Sequence, residues 1–327
     1  MNQEESLRAY YLLRLARAFE AKVAELYQKG RMGGFCHLYT GEEAVAVGAL
    51  WPLRSDDYVL GSYRDHVYLL VRGTDPGAVL AELYGHADGC CKGLGGSMHL
   101  FDREKNFLGG YAIVAGECPI AVGLGRAIQY RKTDQVVVCF FGDGATNQGV
   151  YHEALNMAGL WRLPIVFVCE NNSYAIGTSL QRSSAEADLA RKASIYGMET
   201  HRVDGMDFYK MVAVAERAVA RARGGGGPSF VEALCYRYRG HSMSDPATYR
   251  SKEEVEFWKG RDVIERVRAQ IRHDFELPEE AFDAVDRRVR EEIERAVEKA
   301  EGGRELPLDE ARKLVYAGGR AGGESGG

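Results

Sequence analysis

What the sequence has little of removes several classes of protein. No stretch approaches the roughly 20 consecutive apolar residues of a membrane span; the longest apolar runs, such as Val136 to Phe141, have the length of a strand, so no membrane partner is expected. The 42 Lys and Arg are outnumbered by 47 Asp and Glu, and this net charge of -5 lacks the basic excess of a nucleic-acid binder. The seven cysteines (Cys36, Cys90, Cys91, Cys118, Cys139, Cys169 and Cys235) are odd in number and contain no CxxC pair, which argues against a disulfide framework and a thiolate zinc site. The opening MNQEESLRAYY has neither the apolar segment of a secretory signal nor the Arg/Ser bias of a transit peptide, so a cytoplasmic, bacterial location is expected. No repeat at solenoid periods is present. What is there is 46% hydrophobic and 27% charged over 327 residues, enough for a substantial core in one or two domains.

Periodicity divides the chain. Leu7, Tyr11, Leu15, Phe19, Val23 and Leu26 recur at three- and four-residue steps, which predicts a long amphipathic helix over residues 4 to 29 closed by Gly30. From Gly33 to Gly125 the text is glycine-rich (GGFCH, CCKGLGGSMH, FLGGYAIVAGECP) and reads as functional loops. Val136 to Phe141 is a continuous apolar run, as in a strand buried on both faces of a parallel sheet. The turn GDGATNQG, a helix over 148 to 161 and a second buried strand over 163 to 169 complete a β-α-β unit with a right-handed crossover. A helix near 207 to 223, a GGGGP linker and a third strand, Ser229 to Tyr236, follow. The fold class is therefore α/β: an open, mostly parallel sheet with helices on both faces.

Beyond Ser251 charged helices are expected, with Val285, Val289, Ile293 and Val297 on one face, and the last ten residues, GGRAGGESGG, read as a disordered tail. The expected organisation is an N-terminal helix (1–30), the α/β domain (31–250), a C-terminal helical extension (251–317) and the tail (318–327).

Ligands of open parallel sheets bind beyond the carboxyl ends of the strands. Behind the first expected strand come Gly142, Asp143, Gly144 and Ala145; behind the second come Glu170 to Tyr174; behind the third, Arg237 to Ser242 with His241. Asp143 and Asn172 lie at the ends of consecutive strands of this β-α-β unit; if those strands are neighbours, their oxygens stand one strand spacing apart and can share one ion. A single carboxylate and an amide suit Mg²⁺, which completes its octahedron with phosphate oxygens and water. Gly144 and Ala145, at the start of the following helix, can offer N–H groups to an anion, and Arg64 and His241 further donors. An isolated Asp-Gly behind a strand is most often a turn. The joint pattern is more specific: GDG, 26 residues, then NN, each behind a strand.

That pattern resembles the thiamine diphosphate motif. FCHLYTGEEAVAVG, SYRDH, CKGLGGSMH, GGYAIVAGECPIAVG, EALNMAGLWRLPIVFVCENNSYAIGTS, RVDGMD and YRYRGHSMSDP extend the resemblance over roughly residues 8 to 265, to the alpha-subunit family of pyruvate dehydrogenase (acetyl-transferring) and related 2-oxo acid dehydrogenases. The resemblance implies the diphosphate-binding domain of the thiamine diphosphate-binding fold. It implies Asp143, Asn172 and the Tyr174 carbonyl on Mg²⁺; Gly144, Ala145, Tyr63, Arg64 and His241 on the diphosphate; and Ala112 and Val114 on the aminopyrimidine. His37 would orient the 2-oxo acid or protonate an intermediate, and His37 and His241 are the candidate catalytic residues. Tyr111 and Ala112 depart from the family's Asn-Gly, which puts a methyl beside the pyrimidine contact.

The family assembles as an alpha-two, beta-two heterotetramer whose beta subunit supplies the activating glutamate, so this chain is expected to be inert alone. Pyruvate is the expected substrate and the lipoyl domain of a dihydrolipoamide acyltransferase the acyl acceptor; acetoin and branched-chain 2-oxo acids are the alternatives. Ser242 corresponds to a phosphorylation site of mitochondrial relatives, but in a bacterial cytoplasm an ordinary loop-ordering role is favoured, and the Cys90-Cys91 pair reads as incidental. A nicotinamide-dependent Rossmann oxidoreductase is disfavoured: GDGATN has no third glycine in register, and GLGRAI falls within an expected helix.

Overall fold

A computed structural model describes residues 1–315, so the expected tail lies outside the described residues. The centre is a six-stranded parallel sheet of β1 (Tyr58–Ser62), β2 (Phe107–Tyr111), β3 (Val137–Gly142), β4 (Ile165–Asn171), β7 (Glu199–Asp204) and β8 (Ser229–Leu234), in the order β2-β1-β3-β4-β8-β7. A two-stranded hairpin, β5 (Tyr174–Ala175) and β6 (Thr178–Ser179), stands beyond β4. β3 and β4 pair without interruption from Val137 opposite Ile165 to Gly142 opposite Glu170.

The continuous apolar runs behave as buried central strands must, because successive side chains point to opposite faces. Val137, Cys139 and Phe141 enter one core, with α5 (Glu117–Arg131) and α6 (Gly149–Trp161); Val138 and Phe140 enter the other, with α1 (Gln3–Gln28), α2 (Glu43–Leu50), α3 (His66–Arg72) and α4 (Pro76–Leu83). α1 opens with a capping box between Asn2 and Glu5. Leu15, Phe19, Val23 and Leu26 are buried as expected, whereas Leu7 and Tyr11 are only partly covered, by the helices after Ser251. Val289 and Ile293 are buried on the helix Glu279–Glu301.

Three expectations need correction. The sheet has six strands, because β1 and β2 contain glycine and β7, ETHRVD, is a polar edge strand in which only Val203 is buried. The segment from Gly33 to Gly125 is far from a chain of loops: it carries α2, β1, α3, α4, β2 and the start of α5. Finally, Asp143–Asn147 forms a 3-10 turn and the helix proper begins at Gly149, so Gly144 and Ala145 lie in that turn and not in the first turn of α6.

Candidate active site

Each parallel strand delivers its following residues to the same edge of the sheet. β1 is followed by Tyr63 and Arg64, β2 by Ala112 and Val114, β3 by Asp143 to Ala145, β4 by Asn172 and Tyr174, and β8 by Arg237 and His241. These residues and His37, from the segment before α2, line one cavity of about 530 Å³, so every site residue singled out in the sequence meets there.

Asp143 is 2% exposed, and among the described residues its Oδ2 has no hydrogen-bond partner. Burial pushes its carboxyl up to about 7, against the pull of its own backbone N–H and Arg237. On the neighbouring strand, Asn172 Oδ1 accepts from the Tyr174 N–H at 3.3 Å and its Nδ2 donates to Glu42 Oε1 at 2.8 Å. That second bond fixes which end of the amide faces the cavity. Asn171, the other half of the pair, is structural: its Nδ2 donates to Glu232 Oε1 at 2.7 Å.

The cationic side is held as firmly. Arg64 donates to Leu38 O at 2.5 Å and His241 O at 3.0 Å, and its Nε lies 3.6 Å from Glu42 Oε2. Arg237, 2% exposed, donates to Ile176 O at 3.1 Å and Tyr249 Oη at 2.8 Å. The His37 and His241 rings stand 4.9 Å apart, and Tyr63 lies 4.6 Å from His37. Burial, then Arg64, holds His37 down at about 3 and His241 at about 4, so both imidazoles are neutral near pH 7, each with an unpartnered Nδ1.

Several functional groups escaped the spacing argument. Glu42, Glu117, Glu170 and Arg237 received no role, although TGEEA and YRYRG lie in the quoted segments. Glu170, reached by Tyr39 and Tyr68 hydroxyls, is pushed up to about 8 by burial and by Glu42. Gly144 is required by close approach: a Cβ there would stand 2.6 Å from the Ala175 Cβ. Ser242 lines the cavity with its Oγ 3.0 Å from that of Ser244.

The Cys90 and Cys91 sulfurs are 4.0 Å apart, and with Glu82 they form the one group of three His, Cys, Asp or Glu side chains close enough to share an ion among the described residues. The Glu82 carboxylate is already occupied by N–H groups of Cys91, Gly93, Gly95 and Gly96, and so fastens the loop leading to Met98 at the cavity. The hydrogen bond to Cys91, followed by burial, raises the Cys90 thiol and keeps it protonated. All seven cysteines are free.

The family model described as "Dehydrogenase E1 component" matches residues 11–308. The chain belongs to the dehydrogenase E1 component family. Among its relatives within that family, the pyruvate dehydrogenase E1 component subunit alpha of Rhizobium meliloti is 44% identical over 310 residues, 94% of this chain and 89% of the relative. That of Rickettsia prowazekii is 45% identical over 314 residues, 96% of each chain. The chloroplastic subunit alpha-3 of Arabidopsis thaliana is 40% identical over 323 residues, 97% of this chain and 76% of the relative. The E1 family is generally thiamine diphosphate-dependent.

The residues present fit a divalent cation and a diphosphate. An orphaned, buried carboxylate oxygen beside an oriented amide offers ligands for a hard cation. Two fixed guanidinium groups and two imidazoles on the same cavity suit the anion.

Proposed function

We propose that the chain is the alpha subunit of a pyruvate dehydrogenase, an oxidoreductase that decarboxylates pyruvate and reductively acetylates the lipoyl group of a dihydrolipoamide acetyltransferase. The observation that carries this reading is the unpartnered Oδ2 of Asp143 beside Asn172, in a cavity that also holds Arg64, Arg237, His37 and His241. The names of the relatives support pyruvate.

When bound, thiamine diphosphate supplies the carbanion chemistry and electron sink that cleavage of a 2-oxo acid requires. The protein's part is to bind, orient and exclude water. Asp143 and Asn172, with the Tyr174 carbonyl, would hold Mg²⁺. The Gly144 and Ala145 N–H groups, Tyr63, Arg64 and His241 would hold the diphosphate, and Ala112 and Val114 would bear on the aminopyrimidine. The negative charge of a diphosphate favours the protonated imidazole of His241 and, more weakly, of His37. His37 can then orient the 2-oxo acid through its N–H and return a proton late in the cycle.

The active unit in this reading is an alpha-two, beta-two heterotetramer in the bacterial cytoplasm, with residues 31–250 as the cofactor-binding domain. Co-expression with the beta subunit should give pyruvate-dependent dye reduction that requires thiamine diphosphate and Mg²⁺. Turnover of acetoin or a branched 2-oxo acid with none of pyruvate would overturn the substrate assignment.

A further inference from the structure

Glu117 opens α5, directly after the turn that carries Ala112 and Val114, and lines the same cavity. Glu117 is 1% exposed, and among the described residues its Oε2 has no partner. A buried carboxyl left this way costs free energy that any apolar residue of similar size avoids, so a bound molecule is the natural source of its missing hydrogen bond. The groups facing it are Tyr111 at the end of β2, Cys139 on β3 and Glu170 at the end of β4. None of them is a cation that could balance a carboxylate.

We propose that Glu117 is a ligand-contacting residue of the cavity, donating a hydrogen bond from its carboxyl group to the bound thiamine cofactor. The inference rests on the cofactor assignment made above. Burial, reinforced by Glu170 and partly offset by the Glu117 backbone N–H, pushes this carboxyl up to about 8, so near pH 7 it carries the proton that a donor needs. Above pH 8 the same group becomes an anion sharing its cavity with a diphosphate. Glu117 thus ties cofactor affinity to pH from α5, which carries none of the proposed metal ligands.

The test is thiamine diphosphate affinity, by titration calorimetry at saturating Mg²⁺, of the alpha-beta complex between pH 6.5 and 9.5. The wild type should weaken by up to about tenfold per pH unit above pH 8. Glu117→Gln keeps an N–H donor without a titrating proton; it should match the wild type at pH 7 and lose that alkaline weakening. Glu117→Leu should bind about tenfold more weakly at pH 7, while its cofactor-free form melts no lower than the wild type. An unchanged affinity in Glu117→Leu, or alkaline weakening that persists in Glu117→Gln, as it would if Glu170 were responsible, overturns the proposal alone. A wild-type complex that binds no thiamine diphosphate overturns the cofactor assignment as well.

Discussion

Asp57 and Asp143 stand at opposite ends of the same sheet, both buried, and the fold treats them in opposite ways. Asp57 immediately precedes β1 and accepts from Arg223 Nη1 at 3.0 Å and Nη2 at 2.7 Å, from the Val136 N–H at 2.9 Å and from the Arg54 N–H at 2.8 Å. The last turn of the helix Phe208–Arg223 and the entries to β1 and β3 are thereby latched together. Asp143, behind β3, has an Oδ2 with no partner. A fully paired charge at the amino edge is a fastening; an unpaired one at the carboxyl edge is a binding group awaiting its ligand.

The largest expected effect separates binding from folding. In the alpha-beta complex, Asp143→Asn should lower affinity for thiamine diphosphate with Mg²⁺ by at least about a thousandfold, roughly 4 kcal/mol, by calorimetry. Its cofactor-free melting temperature should not fall, because the substitution removes an unsatisfied buried carboxyl. Loss of stability with retained affinity would make Asp143 a fastening like Asp57.

Asp57→Asn is the mirror experiment. It leaves the Arg223 guanidinium, 20% exposed at the side chain, without its charged partner, and should cost about 3–5 kcal/mol in denaturant unfolding. The folded fraction should bind cofactor within about twofold of wild type. A large affinity defect in the folded protein would break the division between the two edges.

The two edges were also unequally legible. β3, β4 and β8 are written as continuous apolar runs, and the residues behind them needed only the rule that ligands bind at strand ends. α2, EAVAVGAL, is buried at every position and so has no polar face to set a helical period, while β7 buries only Val203 among its six residues. What no pattern could supply are the links between distant segments. Asn172 meets Glu42 across 130 residues and Arg223 meets Asp57 across 166, pairings that exist only once the sheet order is set. Glu117 was missed for a different reason: it lies in the glycine-rich text FLGGYAIVAGECP that reads as loop, where nothing marks one acid as buried, and only the fold shows that it is.

A smaller effect concerns pH. In the cofactor-free protein Asp65 and Asp143 are raised to about 7 and Glu117 and Glu170 to about 8, in every case chiefly by burial. The folded state therefore holds protons that the unfolded chain has released, a contribution present at low pH and lost as pH rises through 7 and 8. His37 and His241 act oppositely, losing stability as pH falls from 6.5 toward 4, so above pH 6.5 the sign is set by the acids together with His66, whose imidazolium is opposed by burial but raised on balance by Glu20 and so loses its proton with the same sign. Unfolding free energy should drop by about a few kcal/mol between pH 6.5 and 8, and Asp143→Asn should shallow the slope. A flat or rising profile would show that this edge is not charge-strained.

The smallest effect tests how the open edge is aimed. Glu42 is fully buried, and one oxygen takes the Asn172 Nδ2–H while the other lies 3.6 Å from Arg64 Nε, so a single carboxylate orients a proposed metal ligand and a proposed phosphate donor. In Glu42→Gln the amide oxygen can still receive Asn172, but the NH₂ end then meets Arg64 donor to donor. Cofactor affinity should fall about tenfold, roughly 1.4 kcal/mol, with little change in cofactor-free stability. Combined with Asp143→Asn the loss should be less than additive, because both substitutions act on one bound ion. Full additivity would mean that Glu42 acts through packing alone, and that the carboxyl edge is organised residue by residue instead of as a connected set.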